Sequence, residues 1–475
     1  MSSSEQLPKI GAGAWLHFAG VAGSGMSALA QYHAQQGGLT TGSDRAFDQN
    51  ERAEIRACLE NLAVELLPQD GSFLRFNRGD FAGRQPDAVV VSTAVEDKVP
   101  DVKAARDSGV AILHRSELLA RYVADHRTIA VSGTSGKSTV TAMVFAILQA
   151  ACKGPGLLTG GALASLVADG HLGNAWGPTA QPDGPPWLVI EADESDGSLV
   201  RYHPWAGVVL NLGLDHKSPA EIMTMFTTFR QNVKGPLVVA DEPNLASLHP
   251  GSLLFGLGTG PGTRALNVEL LPDGSRFTID GVEFQLKVPG AYNVLNATAA
   301  VAVCLAAGLT AAQTAAPLAE FTGVARRFQS VGSHNGIEVI DDFAHNPDKI
   351  AAALAAAQTR TRGRILAVFQ PHGYGPTRFL REALVETFAT ELRPEDVLWM
   401  PEIFFAGGTV TRDISAGDLI GEIQQRGRDA RFLAARNSLP AAMAAEAKTG
   451  DLVLVMGARD PSLTDFCRSI LAALG

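Results

Sequence analysis

Ile129–Ala142 reads I-A-V-S-G-T-S-G-K-S-T-V-T-A, and the rest of the chain is organised around this stretch. Its apolar start is followed by small residues, then by Gly136-Lys137-Ser138, and then by the helical run Met143–Leu148. This order predicts a strand, a phosphate-binding loop and a helix, because backbone N–H groups at a helix N-terminus bind phosphate oxygens. We expect Lys137 to reach the outer phosphates and the Ser138 hydroxyl to bind Mg²⁺.

The stretch departs from the strict phosphate-loop pattern G-x-x-x-x-G-K-[ST], because Val131 stands where the first glycine belongs. The alternative interpretation is a Gly/Ser turn that carries a solvated lysine. The strand before the loop and the helix after it favour the phosphate-binding interpretation.

Length and composition narrow the possible classes of protein. The 475 residues predict about three domains. A net charge of −10 argues against a nucleic-acid partner. The four cysteines lie far apart, which favours reduced thiols in the cytoplasm over disulfides. The N-terminus lacks an apolar secretion signal and no run of about 18 apolar residues occurs, so neither secretion nor a membrane span is expected.

A second glycine-rich turn lies near the N-terminus. Residues 14–19 predict a buried strand, and Gly20, Gly23 and Gly25 follow it before a helical run. Asp44 comes 21 residues after Gly23, where an acidic residue in a dinucleotide-binding fold holds a ribose hydroxyl. NAD binding, nucleotide-sugar binding and a purely structural turn all remain open, because a lone turn of this kind is a weak signal.

Strands and helices alternate along most of the chain, which predicts an α/β protein with parallel sheets covered on both faces. The polar stretch 124–127 is interpreted as a linker. Short alternating runs within 251–288 predict antiparallel hairpins added to the central sheet.

An acidic cluster, E-A-D-E-S-D at Glu191–Asp196, follows the predicted strand Trp187–Ile190. Carboxylates this close would repel one another without a cation, and α/β sheets bind ligands at the ends of their strands. A Mg²⁺ site is therefore predicted, with a solvated acidic turn as the alternative. Asp215-His216 follows the next predicted strand, Ala206–Leu212, and His216 is either a metal or phosphate partner or a structural residue.

Further candidates lie downstream. Asn293 and Asn296 share one face near a helix start, which suggests capping or ligand contact. Arg326-Arg327 suits phosphate contact, although surface ion pairs are an equal alternative. In Asp341-Asp342 only one side chain is expected to face a given site, because neighbouring strand residues point to opposite sides.

Together these motifs resemble those of the Mur ligases of peptidoglycan synthesis, over nearly the full chain. His17–Ser27 resembles the N-terminal signature that binds the UDP part of the substrate, and Gly133–Ser138 resembles the family's G-T-x-G-K-[TS]. Pro289–Asn296 resembles P-G-x-H-N-x-x-N, and Glu191–Asp196 resembles the acidic motif of one branch. That branch adds L-alanine to UDP-N-acetylmuramate and has relatives that recycle peptides.

The resemblance implies three domains. These are a Rossmann-like UDP-substrate-binding domain over residues 1–124, a central P-loop-type ATP-binding α/β domain with added antiparallel strands over 125–322, and a C-terminal Rossmann-like ligase domain over 323–475. The third domain is expected to close on the second about a hinge at Phe321–Ala325.

The resemblance also implies which residues form the sites. The ATP site would comprise Gly133, Thr134, Ser135, Gly136, Lys137, Ser138, Thr139, Asn293, Asn296, Arg327 and Asp342. The UDP-substrate site would comprise Gly20, Gly23, Ser24, Gly25, Met26, Ser27 and Asp44. Lys137, Glu191 and His216 would be catalytic, with Mg²⁺ held by Ser138, Glu191 and His216. The region of the incoming amine would contain Phe343, His345, His372 and Arg378.

One loop departs from the alanine-adding branch. That branch has F-Q-P-H-R-Y-x-R-T-R, whereas Phe369–Arg378 reads F-Q-P-H-G-Y-G-P-T-R, so Gly373 and Pro376 replace two arginines. Arginines of this kind bind carboxylates through paired hydrogen bonds. Phe343-Ala344 also looks closer to the peptide-recycling relatives. We interpret 372–378 as a loop that precedes a helix at Phe379–Leu392.

The implied activity is an ATP- and Mg²⁺-dependent ligase that joins an amino acid, expected to be L-alanine, to UDP-N-acetylmuramate through an acyl phosphate. The alternatives are a recycling ligase that joins a peptide to UDP-N-acetylmuramate, a non-catalytic nucleotide-binding relative, and an NAD-dependent oxidoreductase. The expected partners are a nucleotide sugar and an amino acid or peptide, and a monomer or weak homodimer is expected.

Overall fold

The computed structural model describes residues 8–93, 95–181, 184–215, 217–405 and 411–475. These residues form three β-sheets that follow one another along the chain. Helices pack against each sheet, so the predicted α/β class is confirmed.

The first sheet is parallel throughout, in the order β3-β2-β1-β4-β5. Its strands are β1 Trp15–Ala19, β2 Leu39–Ser43, β3 Glu65–Leu66, β4 Ala88–Val91 and β5 Ile112–His114. Its helices are α1 Ser24–Gln35, α2 Arg45–Asp48, α3 Ala53–Asn61, α4 Pro100–Ser108 and α5 Arg115–Asp125. β1 and β4 are largely apolar because both faces of such a sheet are covered.

The second sheet has the order β15-β14-β13-β12-β11-β10-β6-β9-β7-β8. Its strands are β6 Arg127–Ser132, β7 Gly156–Leu158, β8 Ala175–Trp176, β9 Trp187–Glu191, β10 Ala206–Val209, β11 Leu237–Ala240, β12 Leu253–Leu257, β13 Thr263–Leu271, β14 Gly274–Ile279 and β15 Val282–Leu286. Its helices are α6 Lys137–Ala150, α7 Ala164–Ala168, α8 Pro219–Asn232, α9 Ala291–Ala306 and α10 Ala311–Ala319. β6 lies between β10 and β9, which brings the ends of all three strands to one edge.

The third sheet has the order β16-β17-β21-β18-β19-β20, and only β16 runs antiparallel to its neighbour. Its strands are β16 Gln329–His334, β17 Ile337–Asp342, β18 Ile365–Phe369, β19 Val397–Met400, β20 Asp429–Phe432 and β21 Leu452–Met456. Its helices are α11 Pro347–Arg360, α12 Tyr374–Glu391, α13 Ala416–Gln425, α14 Leu439–Glu446 and α15 Leu463–Ala473.

Some boundaries differ from the sequence-based prediction. The linker at 124–127 is wrong, because α5 continues through Asp125 and β6 begins at Arg127. The Thr128 hydroxyl donates to the Val123 carbonyl at 3.0 Å and ties the strand to the helix. The antiparallel hairpins are confirmed for β13, β14 and β15, whereas β12 pairs with β13 in parallel.

The predicted loop at 372–378 is also wrong, because α12 begins at Tyr374. Gly373 caps this helix with φ +71°, a conformation that favours glycine. The Thr377 N–H and hydroxyl both bond to the Gly373 carbonyl and fix the first turn. The predicted strand Ala206–Leu212 likewise ends early, at Val209.

The predicted hinge lies against the central domain. Val324 forms an isolated antiparallel bridge with Leu163, and the Ala325 N–H donates to the Ala162 carbonyl at 2.8 Å. The connection is therefore held on the central domain as far as Ala325. Gly323 and Arg326, which flank Val324-Ala325, both have positive φ.

Candidate functional site

The loop between β6 and α6 has the shape of a phosphate-binding turn. Gly133 has φ +138° and Gly136, which caps α6, has φ +84°. A Cβ atom at Gly136 would lie 2.5 Å from the Asn296 side-chain oxygen, so the loop packs directly on α9. Thr139 lies in the first turn of α6 and is buried. Residues 134–138 line a cleft, so the N-terminus of α6 faces open space in which an anion could bind.

Asn211, which sequence reasoning did not single out, holds this loop in place. Its side-chain oxygen accepts from the Thr134 hydroxyl and from the Ser135 N–H, both at 2.8 Å. Its Nδ2 donates to the Ser135 carbonyl, and the Gly213 N–H donates to Thr134 Oγ1 at 2.9 Å. The available signal was a polar residue placed just after β10, the strand next to β6.

Lys137 turns back across the loop. Its Nζ lies 2.8 Å from both the Gly133 carbonyl and Glu194 Oε2, and 3.4 Å from Asp193 Oδ1. Burial by itself would lower the pKa of Lys137, but the carboxylates of Glu194 and Asp193 outweigh burial and raise that pKa. Burial by itself would raise the pKa of Asp193. The Lys137 charge and the hydrogen bonds from Ser195 outweigh burial and lower that pKa to about 2.

The acidic cluster divides among several partners. Glu191 Oε2 accepts from the Ser138 hydroxyl, the Thr159 hydroxyl and the Gly160 N–H at 2.8–2.9 Å. Asp196 pairs with Arg115 of the first domain. Lys137 and Arg115 therefore neutralise part of the charge for which the sequence predicted a metal ion.

Glu191 and Ser138 are the described residues that best suit Mg²⁺. Within the described ranges, no group of three His, Cys, Asp or Glu side chains is arranged to hold a metal. Mg²⁺ does not require such a group, because it binds one or two carboxylates together with phosphate oxygens and water. One carboxylate oxygen 2.9 Å from a hydroxyl, beside a phosphate-type loop, fits that chemistry. His216 lies outside the described residues.

Asp215 is bound from the third domain. Its Oδ2 accepts from Lys349 Nζ at 2.7 Å and from Asn346 Nδ2 at 2.9 Å, and His345 Nε2 lies 3.6 Å from Oδ1. Burial by itself would raise the pKa of Asp215, but the contacts with His345 and Lys349 hold that pKa well below its ordinary range. Sequence reasoning missed Lys349, which belongs to no motif, and gave Asn346 no role, although Asn346 lies in the motif Asp341–Pro347.

The paired asparagines lie at the start of α9, as predicted. Asn293 Nδ2 donates to the Pro289 carbonyl at 2.7 Å, and Asn296 Nδ2 donates to Asn293 Oδ1 at 3.3 Å. Asn293 therefore braces the turn before the helix, while Asn296 is pressed against the phosphate-type loop at Gly136.

The adjacent arginines have different surroundings. Arg326 is structural, because it bonds to Asp341 and to the Gly457 and Ala458 carbonyls. Arg327 points into the cleft, with Nη2 3.5 Å from Ser138 Oγ. Its guanidinium carbon lies 4.8 Å from the centre of the Phe343 ring.

Asp342 is buried behind Arg327. It accepts from the Phe328 and Ala344 N–H groups, each at 2.7 Å. Burial raises the pKa of Asp342 to about 6. Asp341 bonds to Arg326 and Thr464 instead, so the two neighbouring carboxylates face apart as strand geometry requires.

The glycine-rich turn borders a cavity of about 830 Å³ between the first and second domains. Its lining includes the predicted residues Gly20, Gly23, Ser24, Gly25, Met26 and Asp44. Ser27 is not part of the lining; it is buried, and its hydroxyl donates to the Ser24 carbonyl at 3.0 Å. Asp44 accepts from the Ala22 and Ala46 N–H groups, so its carboxylate shapes the turn.

The predicted amine region is only partly assembled. The His345 ring centre lies 5.6 Å from that of Phe343 and 5.5 Å from that of His372. Burial, reinforced by the Lys349 charge, lowers the pKa of His345 to about 4. Arg378 does not join these rings, because it lies on α12 and bonds to the Thr411 carbonyl and to Asp413.

Three consecutive ranges of the chain, one for each sheet, match domains of known proteins. Residues 16–127 match the model described as Mur ligase family, catalytic domain, residues 131–304 match the Mur ligase middle domain, and residues 326–459 match the Mur ligase, glutamate ligase domain. A protein named UDP-N-acetylmuramate–L-alanine ligase from Caulobacter sp. (strain K31) is 34% identical over 468 residues, which cover 94% of this chain and 93% of that protein. The chain belongs to the Mur ligase family.

Solved structures agree with this assignment. A UDP-N-acetylmuramate-alanine ligase from Thermotoga maritima aligns with this Mur ligase with a TM-score of 0.74 and 27% identity, covering 97% of this chain and 98% of that one. A murein peptide ligase from Psychrobacter arcticus 273-4 shares the fold, with a TM-score of 0.67, 22% identity and coverage of 98% and 99%. Among the described residues of this Mur ligase, no helix combines the length and apolar character needed to cross a membrane.

Proposed function

We propose that this Mur ligase uses ATP to join an amino acid, L-alanine first, to the carboxylate of UDP-N-acetylmuramate. Glu191 and Asp193 line both the large cavity beside the glycine-rich turn and the phosphate-type cleft around Lys137. A nucleotide sugar held in the cavity can therefore present a carboxylate to a nucleotide held in the cleft. The names of the sequence relatives support the same substrates.

The reaction has two steps. A carboxylate oxygen attacks the γ-phosphorus of ATP, which forms an acyl phosphate and releases ADP. The amine nitrogen then attacks the acyl carbon, which releases phosphate and a proton and forms the amide. The first step depends on positioning and charge neutralisation. Lys137 supplies positive charge from the central domain, and Arg327 supplies it from the third.

Mg²⁺ would be held by Ser138 and Glu191, and His216 would join them by resemblance to the family. Bound there, it would neutralise phosphate oxygens during transfer. Gly133–Thr139, Asn293 and Asn296 hold the nucleotide on the central domain in this proposal. Asp342 holds the ribose from the third domain.

The acceptor region is the part in which this chain departs from the alanine-adding branch. His345 and His372 converge there, but Gly373 and Pro376 supply no guanidinium. A peptide acceptor is therefore the second candidate.

We also propose the domain limits 1–124, 125–322 and 323–475, a cytoplasmic location where ATP is available, and a monomer or weak homodimer.

The test is ADP release from ATP–Mg²⁺ with UDP-N-acetylmuramate and one acceptor at a time: L-alanine, other amino acids or a tripeptide. We expect L-alanine to support turnover with formation of UDP-N-acetylmuramoyl-L-alanine by mass spectrometry. Turnover only with the tripeptide would establish the recycling activity instead. ATP binding without turnover on any acceptor would overturn the ligase proposal, and stabilisation by NADH alone would favour an oxidoreductase.

A further inference from the structure

Lys349 forms a buried ion pair across the boundary between the second and third domains. It lies near the start of α11, and its Nζ is 2.7 Å from Asp215 Oδ2, beyond the end of β10. The side chains of Lys349 and Asp215 are 14% and 7% exposed. The pair is thus largely removed from water, where the loss of one partner costs most.

The same turn of chain makes further contacts with Asp215. The Asn346 side-chain oxygen caps α11 by accepting from the Lys349 N–H at 3.0 Å, and its Nδ2 donates to Asp215 Oδ2 at 2.9 Å. His345 Nε2 lies 3.4 Å from Lys349 Nζ. One carboxylate therefore holds the residues that follow β17, including the histidine of the amine region.

A second contact between the two domains lies along the same cleft. Arg327 reaches Ser138 Oγ at 3.5 Å, and both residues line the cleft together with Lys137, Asp215 and Lys349. The third domain is therefore joined to the central domain beside the phosphate-type loop and again beside the amine region. A buried ion pair adds little net stability, whereas removal of one partner leaves an uncompensated buried charge.

We propose that Lys349 is a positioning residue for the ligase reaction: through Asp215 it fixes the 343–346 turn, and with it His345, against the phosphate-binding cleft. This inference rests on the proposed function. A displacement of about 1 Å at such a site lowers rates by as much as 100-fold. Lys349 acts through Asp215 in this proposal, so its loss should affect turnover more than nucleotide binding.

The test compares Lys349→Met with Lys349→Arg, which keeps the charge, and with Lys448→Met. Lys448 is an exposed third-domain lysine without an ion pair among the described residues, so it serves as a matched control. For Lys349→Met we expect kcat to fall at least tenfold while KM for ATP changes less than threefold. Lys349→Arg should recover part of the rate, and Lys448→Met should match the wild type.

A readout independent of turnover is compaction measured by small-angle X-ray scattering on adding ATP–Mg²⁺ and UDP-N-acetylmuramate. We expect compaction of the wild type and of Lys448→Met, and reduced compaction of Lys349→Met. A Lys349→Met protein with wild-type kcat and compaction would overturn the positioning role.

If kcat falls equally in Lys349→Met and in Lys349→Met/Asp215→Asn, the pairing is supported. A further fall in the double variant, as large as the effect of Asp215→Asn alone, would contradict it. If the wild type shows no turnover, the ligase proposal fails, while compaction still tests Lys349.

Discussion

The ammonium nitrogen of Lys137 lies 2.8 Å from the Glu194 carboxylate, inside the loop that is expected to receive phosphate. Both side chains are largely buried, and burial raises the pKa of Glu194. A phosphate would thus compete with Glu194 for the same ammonium. We therefore expect Glu194 to determine how readily Lys137 becomes available to a phosphate.

Replacing Glu194 by Gln should therefore tighten ATP binding. The glutamine removes the competing charge without changing the size of the side chain, and a gain of about 1 kcal/mol corresponds to roughly a fivefold lower KM for ATP. Steady-state kinetics at saturating Mg²⁺ measures this change. A higher KM for ATP together with a greater Mg²⁺ requirement would instead identify Glu194 as a metal ligand.

A methyl group at Gly136 should damage the loop. Its φ of +84° strains any residue with a side chain, and the added Cβ would lie 2.5 Å from Asn296 Oδ1. We expect Gly136→Ala to lower the free energy of unfolding by about 1–3 kcal/mol and to raise KM for ATP at least tenfold. Gly421 of α13 has open space around its Cβ position, so Gly421→Ala is the matched control and should not be destabilised. Wild-type nucleotide binding by Gly136→Ala would contradict the described loop geometry.

Asp342 should contribute a distinctive pH dependence to stability. Its folded pKa of about 6 lies above the unfolded value near 4, so the folded state binds the proton more tightly. Stability from this group is therefore fully present below about pH 4 and is lost as the pH rises through 6. The neighbouring charged or titratable groups are Arg327, Asp341 and Tyr292.

Chemical denaturation of the wild type and of Asp342→Asn between pH 4 and 7 measures this effect. The variant cannot titrate at this position, so it should gain roughly 1–3 kcal/mol relative to the wild type over that range. Parallel stability curves for the two proteins would show that the carboxyl group does not have a raised pKa.

Arg378 should matter little to the incoming amine. Its side chain is 44% exposed and pairs with Asp413 at the surface. We expect Arg378→Ala to change KM for the acceptor less than twofold, whereas His372→Ala, at a buried residue beside His345, should raise it at least fivefold. A large KM effect at Arg378 would show that the helix start rearranges to bind the acceptor carboxylate.

The strand–loop–helix at Lys137 and the alternating sheets could be predicted because they follow local patterns of apolar runs and glycine. Asn211 and Lys349 could not, because their roles arise from contacts between segments far apart in the sequence. Thr134 meets Asn211 only since β6 and β10 are neighbours in the sheet. The helix start at Tyr374 was missed because its cap is a glycine with positive φ rather than a serine or an aspartate.

ATP-dependent phosphate release with UDP-N-acetylmuramate and L-alanine, measured for the wild type and for Lys137→Ala, tests the ligase proposal most directly. Removing the ammonium leaves the loop without the charge that neutralises the outer phosphates, while Lys448→Met controls for the loss of a lysine elsewhere. We expect release by the wild type and by the control, and less than a tenth of that rate in Lys137→Ala. Retention of a tenth or more of the wild-type rate would contradict it.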